Sequence, residues 1–189
     1  MEWGWCGGVH PRLLLANRIN IKTLQADTGK VESVIRNLTD VAAVDFDYND
    51  GFLFWGDISN DQIIRAKKTA NGSVVDIAEI AGEDVRTPEG IAVDWLYNHV
   101  YWTDVSPPKI EVMSYDGKLR RSLVTESLDK PRAIVVDPSQ GWMYWTDWGN
   151  NPMISRCGLN GKHRRLLVNE DIVWPNGLTI GLLSEIMAN

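Results

Sequence analysis

Three near-identical tetrapeptides, Phe54-Trp55-Gly56-Asp57, Tyr101-Trp102-Thr103-Asp104 and Tyr144-Trp145-Thr146-Asp147, recur with their aspartates 47 and 43 residues apart. Repetition at that interval confines a chain to architectures built from stacked, equivalent units. A second ladder precedes them: Ala43-Val44-Asp45, Ala92-Val93-Asp94 and Val135-Val136-Asp137. Leu178-Thr179-Ile180 forms a fourth rung, with Gly181 where an aspartate is expected. Leu14-Leu15-Ala16-Asn17 holds the tetrapeptide position of an earlier, degenerate unit.

Each unit reads as strands. Gly90-Ile91-Ala92-Val93-Asp94 is a short apolar run, and Val100-Tyr101-Trp102-Thr103-Asp104 is rich in β-branched and aromatic residues. Lys109-Ile110-Glu111-Val112-Met113-Ser114 alternates with period two. Asp116-Gly117 and Asn160-Gly161 are hairpin signals, each followed by a polar outer strand. Four strands in 40–50 residues make a propeller blade. The apolar runs are too short for a helical solenoid, and a sandwich has no reason to repeat one motif at near-fixed spacing. The expected fold is an all-β, incomplete β-propeller of about four of six four-stranded blades. Residues 1–11 stay unassigned. Residues 12–189 form the partial propeller, with blades at about 12–36, 41–80, 90–125 and 132–169 and the start of another at 177–181.

The ordered set of motifs resembles the YWTD propeller, or class B repeats, of the low-density lipoprotein receptor family. The matching segments include Leu15-Ala16-Asn17-Arg18, Pro88-Glu89-Gly90-Ile91-Ala92-Val93-Asp94-Trp95 and Lys130-Pro131-Arg132-Ala133-Ile134-Val135-Val136-Asp137-Pro138. Gly141 to Gly149 and Trp174-Pro175-Asn176-Gly177-Leu178-Thr179 complete the set. Within that family, Asp40 to Phe46 and Asp57-Ile58-Ser59-Asn60-Asp61 are similar to the first propeller of the Wnt co-receptor branch. The resemblance implies an extracellular, ligand-binding piece of a cell-surface receptor, taking protein or peptide ligands in Wnt-type signalling or endocytic uptake. It implies a membrane-anchored parent at the plasma membrane, although this chain shows no signal peptide and no apolar run long enough to span a bilayer. Family propellers close with six blades, so a fragment or truncated product is expected, with exposed blade faces that favour marginal folding or aggregation.

The same resemblance carries a ligand-binding rim onto Arg18, Asp40, Ser59, Asp61, Glu89, Arg132, Trp148, Trp174 and Asn176. Carboxylates suit a basic peptide, tryptophan supplies contact area and asparagine pairs with a peptide amide. Each residue is also open to being an inter-blade contact or part of a solvated loop. The repeat residues have a structural reading. Trp55, Trp102 and Trp145 are expected between blades, where a buried tryptophan removes about 150–250 Å². At roughly 25 cal/mol per Å² that is about 4–6 kcal/mol as an upper bound. Asp57, Asp104 and Asp147 are expected to accept backbone N–H groups or bonds from Arg65 and Arg156 on third strands.

Other chemistry finds little footing. The net charge of −6 is wrong for a general nucleic-acid binder. His10, His99 and His163 are scattered, and Cys6 and Cys157 lack a zinc spacing. Asp45 to Gly56 fails the EF-hand pattern at both its sixth and twelfth positions. No catalytic residue, metal or cofactor is expected. The enzyme-class alternative is a calcium-dependent six-bladed lactonase or esterase, and the third is a truncated product without function of its own. Asn37-Leu38-Thr39 and Asn71-Gly72-Ser73 are N-glycosylation sequons, with Asn37 and Asn71 as acceptors.

Overall fold

A computed structural model describes residues 11–181. Cys6, His10 and the chain beyond Gly181 lie outside the described residues. Fourteen strands and no helix are found among those described. β1 (Arg12–Ala16), β2 (Arg18–Gln25) and the first half of β3 (Val31–Asp47) form a leading three-stranded unit. The second half of β3 is the inner strand of blade I, followed by β4 (Phe52–Asp57), β5 (Gln62–Lys68) and β6 (Val74–Ala81). Because β3 runs unbroken through both units, they join as one six-stranded sheet. Blade II comprises β7 (Pro88–Asp94), β8 (His99–Val105), β9 (Pro108–Ser114) and β10 (Arg120–Val124). Blade III comprises β11 (Pro131–Asp137), β12 (Trp142–Asp147), β13 (Met153–Gly158) and β14 (Arg165–Val168). Every pairing is antiparallel, as short hairpin connections require.

The blades bury their faces against one another. Trp55, Trp102 and Trp145 are fully buried, each among residues of its own blade and of the unit before it. Trp55 packs with Ile21 and Ile35 of the leading unit, Trp102 with Phe54 and Ile63 of blade I, and Trp145 with Tyr101 and Ile110 of blade II. Two arginines seal the outer side of this layer. Arg120 lies over Trp102 and donates to the Glu83 carbonyl, while Arg164 lies over Trp145 and donates to the carbonyls of Glu126 and Ser127 (2.5 and 2.7 Å).

The inner-strand aspartate ladder corrects the sequence reading by two residues. Asp47, rather than Asp45, is equivalent to Asp94 and Asp137, because each of these three pairs with the first residue of the following strand: Phe52, His99 and Trp142. Each also folds its carboxylate back over the turn that follows, onto N–H groups two or three residues on: Asn49 and Asp50, Leu96 and Tyr97, and Gln140. Asp45 occupies the position that Ala92 holds in blade II and does a different job. Its carboxylate accepts the Val93 N–H of the next inner strand at 2.8 Å. Residues 177–181, expected to start another blade, carry no strand.

Candidate functional site

Each inner strand starts at one end of its blade, called the top here, and the tetrapeptide strand returns to it. The tetrapeptide aspartates therefore sit beneath the top connections, all nearly or fully buried. Asp147 accepts the N–H groups of Asp129 and Lys130 (both 2.8 Å) and Gly149 (3.0 Å). Asp104 accepts from Arg86 (2.6 Å) and Ser106 (3.4 Å). Asp57 takes the backbone and side-chain N–H of Asn60 at 3.1 and 3.0 Å. Asp104 and Asp147 thus clamp the links that lead into Glu89 and Arg132. Burial outweighs the N–H bonds at Asp104 and pushes its carboxyl up to about 6. Arg65 and Arg156 serve elsewhere. Arg65 donates to the Tyr115 carbonyl at 2.8 Å and lies over Phe52, and Arg156 lies over Trp142.

The top ends of the inner strands surround a cavity of about 690 Å³. Five of the nine expected rim residues line it: Arg18, Asp40, Glu89, Arg132 and Asn176. Two ion pairs join its lining residues, Arg18 with Asp40 (3.5 Å) and Arg132 with Glu89 (2.5 Å). Arg132 also lies over Trp148, its guanidinium carbon 4.2 Å from the ring centroid. The Arg132 backbone is fixed from below, where Thr103 Oγ1 donates to its carbonyl at 2.6 Å. Gly90 permits that approach, since a Cβ there would meet the same carbonyl oxygen at 2.0 Å. Asp61 stands outside the cavity, accepting the Thr87 N–H (3.1 Å) and pairing with Arg86 (3.8 Å). Ser59 and Trp174 are exposed, and no described hydrogen bond or ion pair ties either to the cavity.

Sequence reasoning missed Arg86, Thr103 and Gly90 as supports of this rim. The available signal was Gly90 itself, a glycine where the equivalent strand positions hold Ala43 and Ala133. Among the described residues, no cluster of three or more His, Cys, Asp or Glu side chains is placed to hold a metal ion. Cys157 is fully buried between blades II and III, where burial raises its thiol to about 11. Asn37 and Asn71 are both exposed, Asn37 with a left-handed φ of 60° and Asn71 in the β5–β6 turn.

Comparison with known proteins accounts for the repeat. Residues 51–95, 98–138 and 141–180 match the family model described as low-density lipoprotein receptor repeat class B. Mouse (Mus musculus) low-density lipoprotein receptor-related protein 5 is 42% identical over 144 residues, 75% of this chain and 9% of that protein. The human (Homo sapiens) low-density lipoprotein receptor-related protein 5-like protein is 36% identical over 133 residues, 70% of this chain and 51% of that protein. Among solved structures, a chain of a nidogen/laminin complex superimposes with a TM-score of 0.83 at 34% identity, covering 90% of this chain and 66% of that one. The chain thus spans a small part of one relative and about half of the other. Blades stacked through their tryptophans, and the family model matched over three consecutive repeats, give one conclusion: this chain belongs to the low-density lipoprotein receptor class B repeat family, as a partial YWTD β-propeller.

Proposed function

We propose that the chain is an extracellular, ligand-binding part of a cell-surface receptor and that its top rim takes protein or peptide ligands. The observation that carries this is the rim itself. Glu89, Arg132 and Trp148 form one stacked, ion-paired unit beside a cavity that also holds Arg18, Asp40 and Asn176. Such a rim offers a ligand paired charges, a flat aromatic surface and an exposed amide. The acidic members suit a basic peptide segment, with Asn176 pairing to its backbone. Membership of a receptor repeat family supports a binding module over an enzyme, and the sequons at exposed Asn37 and Asn71 agree with an extracellular setting. The role that follows is Wnt-type signalling or endocytic uptake by a membrane-anchored parent.

The test is selection of random phage-displayed peptides on the 189-residue chain, followed by affinity measurement on variants. Trp148→Ala, Glu89→Ala and Asn176→Ala each weaken the selected peptides about tenfold or more. Arg36→Ala, on the leading unit, leaves them unchanged. Trp148→Ala retains most of its thermal stability, since the ring is only half-buried. Peptides that bind all three rim variants as tightly as the parent chain would overturn the assignment. Lactone hydrolysis abolished by EDTA would favour the enzyme alternative instead.

A further inference from the structure

Away from the rim, a second cavity of about 360 Å³ opens between blades II and III at the opposite, bottom end of the strands. Its floor is apolar, made by Tyr101, Val112, Leu123 and Leu159. Its walls carry His99, Lys118, Arg120, Arg121 and Asn160. Arg120 is committed to the Glu83 carbonyl and to Glu111, and Lys118 reaches Asp116 at 3.1 Å. Arg121 is exposed and has no hydrogen-bond or ion-pair partner among the described residues. An arginine fork standing unpaired at the mouth of a cavity is a ready receptor for a planar or tetrahedral oxyanion.

The cations also repeat. Asp116-Gly117-Lys118-Leu119-Arg120-Arg121 in blade II becomes Asn160-Gly161-Lys162-His163-Arg164-Arg165 in blade III. The two hairpins occupy equivalent places, as each glycine backs onto a carbonyl of the preceding blade, Ile80 or Leu123. In both, the first arginine is used to seal the tryptophan layer. Lys118, Arg121, Lys162 and Arg165 remain exposed at the blade repeat. This concentration of positive charge occurs in a chain whose net charge is −6.

We propose that the groove between blades II and III, with the two Gly-Lys-x-Arg-Arg hairpins beside it, binds a sulfated polysaccharide. One sulfate seats against Arg121 beside Lys118, and the chain runs outward past the blade III hairpin to Lys162 and Arg165, which lie beyond the cavity lining. A polysaccharide fits better than an acidic protein because the exposed cations recur at equivalent places on two successive blades. A polyanion with evenly repeated sulfates matches that array without a folded complementary surface.

The experiment titrates the full chain with a heparin octasaccharide by calorimetry at about 50 and about 300 mM salt, with binding weaker at the higher salt. Arg121→Ala and Arg165→Ala each lower affinity about tenfold, and Arg121→Lys restores part of the loss. Arg36→Ala removes the same charge from the leading unit and leaves affinity unchanged. Circular dichroism confirms folding, which exposed side chains do not endanger. Three outcomes overturn the proposal: no octasaccharide binding at low salt, equal loss with Arg36→Ala, or a poly-glutamate peptide of equal charge binding as tightly with the same dependence on Arg121. The last would assign the groove to acidic protein segments.

Discussion

The interface between blades I and II is filled, and the one between blades II and III is grooved, although the backbones repeat. Phe52, Phe54 and Tyr115 form an aromatic cluster at the first, with ring centroids 4.6–6.2 Å apart. Arg65 and Lys67 lie over Phe52, and the Tyr115 hydroxyl donates to Asp47 at 3.0 Å. The equivalent residues at the second interface are His99, Tyr101 and Leu159, with Val112 in place of Arg65 and Arg121 in place of Ala78. Exchanging a tyrosine for a leucine and an arginine for a valine removes the volume that fills the first site. What remains is an open space with a cation at its edge. Repeat architecture fixes where a side chain points, and the side chain's volume decides whether a seam or a groove results.

The largest expected effect removes what the two interfaces share. Trp102→Ala and Trp145→Ala each cost about 3–5 kcal/mol in urea unfolding, since both rings are fully buried. A cost at Trp145 below half of that at Trp102 would show that the groove loosens the whole second interface. Next, Tyr115→Leu converts the filled interface toward the grooved one. It loses ring contacts and the bond to buried Asp47, for about 2–4 kcal/mol. A change within error would mean that the aromatic cluster adds nothing to the seam.

Leu159→Tyr makes the reverse exchange. It fills open space, so stability moves by about 1 kcal/mol or less, while octasaccharide binding falls. Unchanged octasaccharide affinity in this variant would separate the cavity from the cation array. The last expectation concerns the inner strands. Asp45 bridges blades I and II, whereas Ala92 holds that position toward blade III. Burial raises the Asp45 carboxyl from its ordinary 3.8 to about 6. The folded chain therefore keeps a proton that the unfolded chain has released. This contribution is complete below about pH 4 and is lost as pH rises toward about 6. Asp104 acts with the same sign. Asp45→Asn flattens the fall in stability between about pH 4 and about pH 6, read from thermal unfolding across that range. An unaltered slope would assign it to Asp104 and the remaining acids.

Much of the architecture was legible in the linear chain because a blade is local. Strand, turn and hairpin signals lie within 40–50 residues, and the Tyr-Trp-Thr-Asp strand marks each repeat. The tryptophan layer followed from the same periodicity, and the backbone-clamping role of Asp57, Asp104 and Asp147 was among the alternatives read from it. The resemblance supplied a rim set, of which Arg18, Asp40, Glu89, Arg132 and Asn176 share one cavity. The Asp45 alignment failed because Ala-Val-Asp occurs two residues early in blade I, and only strand register distinguishes a turn-capping Asp47 from an inter-blade Asp45. The stacking of Arg132 between Glu89 and Trp148 was likewise invisible in sequence, since these residues come from two blades and a connecting loop. Period and composition determined the strands, their faces and their repeat. Which side chains meet across the seams was decided only by tertiary packing, because contacts between blades depend on volumes and registers about 45 residues apart, beyond the reach of any local pattern.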